Sequence, residues 1–261
     1  MNGEIPVIEA VEWREPAPGG GSQAQVFRLS DGRFALVKFP ENSQGELVLA
    51  NEFICCQFAE HFDLPVNRAV RVLIDERLLR GPRQSGQIPN SFSAGVRCGM
   101  IRFENPEVAP VTDIENCANA AALHHIVAFE QLMNRQDGRQ LLIYVGPEKT
   151  RQFGAYDYGF ALGGNGNWTI SMLPAIAPPV LPGANPFTGA PYADGAALGG
   201  FIDKLRVLTR AQIEEILLTI YPPRWGVSVD DMQGIANFLE QRTKALVKQF
   251  DERYQPPPQM I

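Results

Sequence analysis

Histidine is scarce in this chain of 261 residues, occurring only as His61, His124 and His125. No His-Glu-x-x-His pair is present, so a zinc-protease helix is excluded. Cysteine is scarce too, and none of Cys55, Cys56, Cys98 and Cys117 is spaced as Cys-x-x-Cys. That excludes a structural zinc site and a disulfide framework, and leaves buried reduced thiols as the simplest reading. There is no Gly-x-Ser-x-Gly elbow, so an α/β-hydrolase nucleophile is missing. Excess positive charge is missing as well: the formal net charge is −6, which argues against a general nucleic-acid binder. No apolar run reaches the ~18 residues of a membrane span, and the polar, acidic start at Met1-Asn2-Gly3-Glu4 does not read as a leader. The expectation is a soluble, cytoplasmic protein with no membrane partner.

What is present is ordinary globular composition, 45% hydrophobic and 20% charged. Glu4 to Trp13, Gln25 to Leu29 and Phe34 to Phe39 read as strands, with a tight turn at Ser30-Asp31-Gly32-Arg33. Leu47, Ala50, Ile54 and Phe58 recur at helical spacing and predict a helix from about Gly45 to Phe62. Arg68 to Leu79 reads as extended, Gly81 to Gly95 as a loop, and Val96 to Phe103 as a strand. The pattern then turns helical, which places a boundary near Asn105-Pro106: residues 1–105 as a β-rich lobe and 106–261 as a mainly helical one. A helix is expected from about Ile114 to Asn134, followed by short strands at Leu141 to Val145 and Phe153 to Tyr156. Pro174 to Gly200 carries six prolines and five glycines in 27 positions and reads as a long loop. Helices at about Thr209 to Thr219 and Val229 to Tyr254 close the chain, with a Tyr221-Pro222-Pro223-Arg224-Trp225 bend between them and a frayed Pro256-Pro257-Pro258 tail.

Four side chains stand out chemically. Lys38 lies on a strand whose two faces are both apolar, with Phe34 and Leu36 on its own face and Ala35, Val37 and Phe39 on the other. An ammonium buried there needs a carboxylate or phosphate partner; on an edge strand it would reach water instead. Glu52 sits mid-helix among Val48, Cys55, Cys56 and Ala59 and is the natural counter-charge, unless it faces solvent as most glutamates do. Asp137 and Asp157 flank the later hairpin. Such a pair suits phosphoryl transfer, one carboxylate orienting a hydroxyl and the other holding Mg²⁺ on phosphates. Asp137-Gly138 also reads as a plain turn, whereas the largely apolar neighbours of Asp157 leave its charge in need of a partner. The run Gly19-Gly20-Gly21-Ser22 would let backbone amides approach phosphate, although it fits neither a Walker nor a Rossmann pattern.

The order of these parts resembles protein-kinase-like folds, and more closely the HipA-like kinase family. The resembling segments are Phe34 to Phe39, Gln44-Gly45, Asn51-Glu52-Phe53, Asp63-Leu64-Pro65-Val66, Phe129-Glu130 through Asp137, and Asp157-Tyr158-Gly159-Phe160-Ala161. Pro222 to Trp225 and Phe238 to Arg242 extend the likeness, which covers roughly residues 19 to 250. The resemblance implies a two-lobed α+β fold that uses ATP and Mg²⁺ on a hydroxyl acceptor such as a protein Ser or Thr. Gly20, Gly21 and Ser22 would lie over the nucleotide. Lys38 would contact its α- and β-phosphates and pair with Glu52, Asp137 would be the catalytic Asp, and Asp157 would bind Mg²⁺. The family pattern continues Asp-Arg and then a metal-binding Asn; here Asp137 is followed by Gly138, and Gln140 is the only amide near that position. A pseudokinase or nucleotide-binding interaction module therefore stays open beside the enzyme. So does a small-molecule kinase, although Gln136 stands where that class has a residue of its His-Gly-Asp motif.

Overall fold

A computed structural model describes residues 5–17, 21–103, 106–108, 110–146, 148–164, 166–220 and 225–254. Gly20, Asn105, Pro222 to Arg224 and the Pro256 to Pro258 tail, singled out above, lie outside the described residues.

Five strands make a closed barrel in the order β1-β2-β3-β5-β4. They are β1 (Val7–Pro16), β2 (Gln25–Leu29), β3 (Phe34–Lys38), β4 (Ala69–Ile74) and β5 (Gly95–Ile101). All neighbours are antiparallel except β1 and β4, whose parallel pairing from Val7↔Arg71 to Glu9↔Leu73 closes the ring. Alternation along the strands sends Phe27, Leu29, Ala35, Val37, Val70 and Val72 into one packed cluster with Phe39 and Phe92. Gly99 is required at its place in β5, because a Cβ there would stand 2.6 Å from Val72 Cγ2.

Helix α1 (Leu47–His61) spans the sequence between β3 and β4 and is buried along most of its length. It belongs to the larger core, which also holds Phe129, Tyr158, Phe201 and Leu239 from the rest of the chain. Next comes a departure from expectation. Residues 76–84, read as extended chain and loop, form helix α2 (Glu76–Gln84). The Asp75 carboxylate accepts from the Arg77 backbone N–H at 2.7 Å and starts it. Gly81-Pro82 looked like a breaker, but Pro82 falls in the last turn, where its carbonyl accepts from Gln87 N–H at 2.8 Å as the chain leaves the helix.

Beyond β5 a second sheet runs β6 (Glu107–Val108), β7 (Gln140–Val145), β8 (Arg151–Tyr156), antiparallel throughout. The helix expected from Ile114 to Asn134 is split into α3 (Val111–Ile114) and α4 (Ala122–Leu132). The cause is a competing partner. The Asn119 side chain donates to Phe153 O and accepts from Phe153 N–H, both at 2.9 Å, and Ala118 N–H donates to Arg151 O. Those bonds tie the intervening turn to β8. The proline-rich stretch begins inside a 3₁₀ turn at Ile170–Ala175 and is otherwise irregular up to Gly195. Its last residues belong instead to helix α5 (Ala196–Val207), which the Gly199-Gly200 pair had disguised. Helices α6 (Arg210–Leu218) and α7 (Val229–Tyr254) follow the expected positions, α6 opening with a capping box between Thr209 and Gln212. The architecture is α+β: a small barrel, a three-stranded sheet, and a mainly helical remainder. No described helix is long and apolar enough to cross a membrane.

Candidate functional site

Lys38 ends β3 on the face opposite the barrel cluster and is only 5% exposed. Its Nζ donates to Glu52 Oε2 at 2.8 Å and to Asp157 Oδ1 at 2.8 Å. Three elements therefore converge: the last residue of β3, the middle of α1, and the residue just after β8. Glu52 is 1% exposed, and burial pushes its carboxyl upward despite the adjacent ammonium. Burial opposes the charge on Lys38 as well, but the two carboxylates outweigh it and hold the ammonium above its ordinary value. Burial also acts upward on Asp157, yet Lys38 and a hydrogen bond from Gln140 prevail and leave its carboxyl below the usual range. One ammonium against two carboxylates gives the trio a net negative charge.

The backbone at Asp157 is left-handed, with φ of 60°, so the chain turns there rather than continuing β8. The approach is close. A Cβ on Gly159 would stand 2.7 Å from Val48 Cγ1 and 3.5 Å from Lys38 Nζ. Asn51, fully buried beside Glu52, holds both ends of the segment that follows. Its Nδ2 donates to Gly159 O at 2.8 Å, and its Oδ1 accepts from Trp168 Nε1 at 3.0 Å.

Asp137 lies in the turn before β7 and is held by a cation that sequence reasoning missed. Arg135 has a guanidinium only 2% exposed, and its Nε donates to Asp137 Oδ1 at 3.0 Å. The same guanidinium pairs with Glu130 at 3.4 Å and lies over the Tyr158 ring, 4.8 Å from its centroid. Glu130 is also met by Arg139. The available signal was an Arg two positions ahead of the Asp, following a helix whose last turn carries Glu130 and Gln131. Gln140 joins the two aspartates: its Nε2 donates to Asp157 Oδ2 at 3.2 Å and, more weakly, to Asp137 Oδ2 at 3.4 Å. Asn134, which precedes Asp137, donates to Leu162 O.

A pocket of about 260 Å³ opens beside this cluster. Lys38, Glu52, Asp157 and Gln140 form its polar end; Ala24, Leu36, Met100 and Leu142 supply apolar wall. Ser22 lines it too. Gly21 is not among the lining residues; its carbonyl accepts from Ser43 Oγ at 3.0 Å, which ties that loop to the turn after β3. Lys38, Glu52, Asp137, Gln140, Asp157 and Ser22 are thus gathered in one region. A larger groove on the outer barrel, lined by Arg14, Arg33, Phe34 and Arg102, holds none of them.

The donor set suits a divalent cation in one respect. Two carboxylate oxygens, from Asp137 and Asp157, converge on a single amide, which is the charge pattern a hard cation neutralises. Among the described residues no group of three or more His, Cys, Asp or Glu forms a metal cluster by itself.

No protein-family model and no curated protein sequence matches the chain. Solved structures do. The proinflammatory kinase CtkA of Helicobacter pylori is similar at 12% identity and a TM-score of 0.57, over 95% of this chain and 97% of that one. The Golgi casein kinase with Mn/ADP bound is similar at 8% identity and a TM-score of 0.52, over 95% of this chain and 74% of that one. A second structure of the Golgi casein kinase gives 8% identity and a TM-score of 0.53 over the same shares. Likeness at these identities speaks to architecture, and the architecture it shows is a kinase fold.

Proposed function

We propose that the chain is a phosphotransferase that moves the γ-phosphoryl group of ATP, as its Mg²⁺ complex, to a hydroxyl acceptor such as a protein Ser or Thr. The observation that carries this reading is Lys38 Nζ at 2.8 Å from both Glu52 and Asp157, at the polar end of a pocket with apolar walls. In this reading residues 1–105 and 106–261 are two lobes, the nucleotide lies between them, and the chain is a relative of the HipA-like kinases. The Golgi casein kinase structure with Mn/ADP supports nucleotide and divalent metal use by analogy of fold. The cytoplasmic setting rests on four cysteines that are all free and buried.

The base and ribose would occupy the apolar part of the pocket, with Ser22 beside the phosphates. Lys38, fixed by Glu52, holds the α- and β-phosphates. Asp157 and, with its amide turned to present oxygen, Gln140 would hold Mg²⁺, which would supply neutralisation of phosphate charge. Asp137, oriented by Arg135, takes the proton of the acceptor hydroxyl as its oxygen bonds to phosphorus and the bond to the β-phosphate oxygen breaks. ATP consumption with Mg²⁺ and a mixed peptide acceptor should fall to background in Asp157→Ala. Equal rates for wild type and variant would end the proposal.

One observation favours a second reading. Gln140 donates to both aspartates, where the related pattern has a metal-binding Asn. A pseudokinase would keep nucleotide affinity without turnover. Stabilisation by ATP and Mg²⁺ (about 2.7 kcal/mol at a hundred times Kd) with no phosphate transfer would select it. A small-molecule acceptor would show instead as turnover on low-molecular-weight alcohols only.

A further inference from the structure

The loop that carries Asp137 and the segment that follows Asp157 are laced together. Gln136 N–H donates to Phe160 O at 3.0 Å, and Leu162 N–H donates to Met133 O at 2.7 Å. A side chain adds a further link: Asn134 Nδ2 donates to Leu162 O. A carbonyl oxygen only accepts, so this bond fixes which end of the amide is nitrogen. The other end, Oδ1, accepts from Gln136 Nε2 at 2.9 Å. Asn134 thus bridges the residue just before Asp137 and the chain just beyond Asp157, and it is not among the residues that line the pocket.

The backbone is left-handed at both ends of this bridge, with φ of 53° at Asn134 and 55° at Leu162. At Asn134 the helix end accounts for it. Arg135 N–H donates to Glu130 O at 3.0 Å and Asn134 N–H to Gln131 O at 3.3 Å, the paired bonds that close a helix through a left-handed residue. Glycine fills such a place without cost, so the cap makes no demand for an amide side chain. Leu162 has no such excuse. It is a fully buried leucine in a region that side chains with a Cβ avoid, and it stays there because its surroundings hold it. Its peptide groups are held from the Asp137 loop on both sides, the N–H by Met133 and the C=O by the Asn134 amide. Nearer Asp157, the same segment is pinned by Asn51 at Gly159 O.

We propose that Asn134 is a positioning residue: by holding Leu162 in its left-handed conformation it sets the register between the Asp137 loop and the segment after Asp157, and with it the separation of the two carboxylates. This rests on the phosphotransferase reading, in which Asp137 takes the acceptor's proton and Asp157 serves the phosphate side. Those two tasks need a fixed spacing, and a misplacement of ~1 Å can cost about a hundredfold in rate.

Asn134→Gly tests this, because it keeps the left-handed cap and removes only the bridging amide. The melting temperature should stay within about 2 °C of wild type. Calorimetric affinity for ATP with Mg²⁺ should stay within about threefold, while kcat on the mixed peptide acceptor falls at least about tenfold. Amide hydrogen exchange reads the bridge without turnover: the N–H groups of Gln136 and Leu162 should exchange at least about tenfold faster in the variant, with those of β2 and β3 unchanged. Asn134→Asp keeps an acceptor for Gln136 but loses the donor to Leu162, and should match the glycine variant in both kcat and exchange. Unchanged exchange at Leu162, or an unchanged kcat, overturns the assignment. So does a fall in kcat matched by an equal fall in affinity and a lowered melting temperature, which would mark Asn134 as part of the general architecture. Wild-type protein that binds ATP but phosphorylates no acceptor is a separate result: it removes the phosphotransferase reading and the positioning role with it, even where exchange at Leu162 responds.

Discussion

Two of the buried cations in this molecule, Lys38 and Arg242, have surroundings that differ in kind. Lys38 is met by two carboxylates and stands at the edge of a pocket. Arg242, on α7, is met by backbone carbonyls: its Nε donates to Leu132 O at 2.9 Å and its Nη1 to Ala177 O at 2.8 Å. Burial alone pulls its guanidinium down to about 10, still charged at neutral pH. Arg242 thus caps the C-terminal end of α4 and ties the proline-rich stretch to α7. The difference is instructive. A buried cation satisfied by carbonyls completes the architecture. A buried cation outnumbered by carboxylates leaves unspent negative charge facing a cavity, which is where a second cation or a polarised ligand would be stabilised.

The comparison can be broken at several points. Lys38→Met leaves Glu52 buried without a cation and should cost about 3–5 kcal/mol in denaturant unfolding. The double variant Lys38→Met with Glu52→Gln should recover much of that loss; failure to recover would show that Glu52 is not the group left stranded. Arg242→Met strips donors from carbonyls rather than stranding a charge, so a smaller loss of about 2–3 kcal/mol is expected. A loss equal to that of Lys38→Met would erase the distinction between the two sites. Asn51→Leu should cost about 2 kcal/mol by freeing Gly159 O and Trp168 Nε1, and the loss should not add to that of Trp168→Phe in a double-mutant cycle.

Acid sharpens the contrast further. Asp157 has a carboxyl depressed below its ordinary 3.8. Its stabilising contribution is complete above that value and is lost as pH falls through the depressed one. Melting temperature followed from pH 5 downward should therefore drop less steeply for Asp157→Asn than for wild type. Parallel curves would mean that Lys38 does not hold Asp157. The smallest effect is expected at the surface. Lys248→Ala removes an exposed pair with Glu252, and the melting temperature should stay unchanged within error.

Local rules offered the Lys38–Glu52 pair, since strand alternation and helix spacing each set one partner among apolar neighbours, but left open that either side chain reached solvent. Asp157 was different. It reaches Lys38 across 119 residues, and only the order of motifs and the family likeness suggested the meeting. The links made by Arg135, and the hydrogen bonds that Gln140 sends to both aspartates, were not legible. Amides and guanidinium groups declare their partners through tertiary geometry, and nothing in their spacing says which oxygen they will face. The two unforeseen helices, α2 and α5, have a common cause. Gly-Pro and Gly-Gly pairs lower intrinsic helicity, but a good cap at Asp75 and burial of Phe201 and Ile202 override that tendency.

The ring closure by β1 has a consequence for recognition. An open sheet offers its outermost backbone amides and carbonyls to any extended peptide that passes. Here β1 is bonded to β2 on one side and to β4 on the other, so the N-terminal strands present no such rail. In the proposed reaction a protein acceptor would find no main-chain pairing on the barrel, so side chains and loops around the mouth of the pocket would hold it on that side.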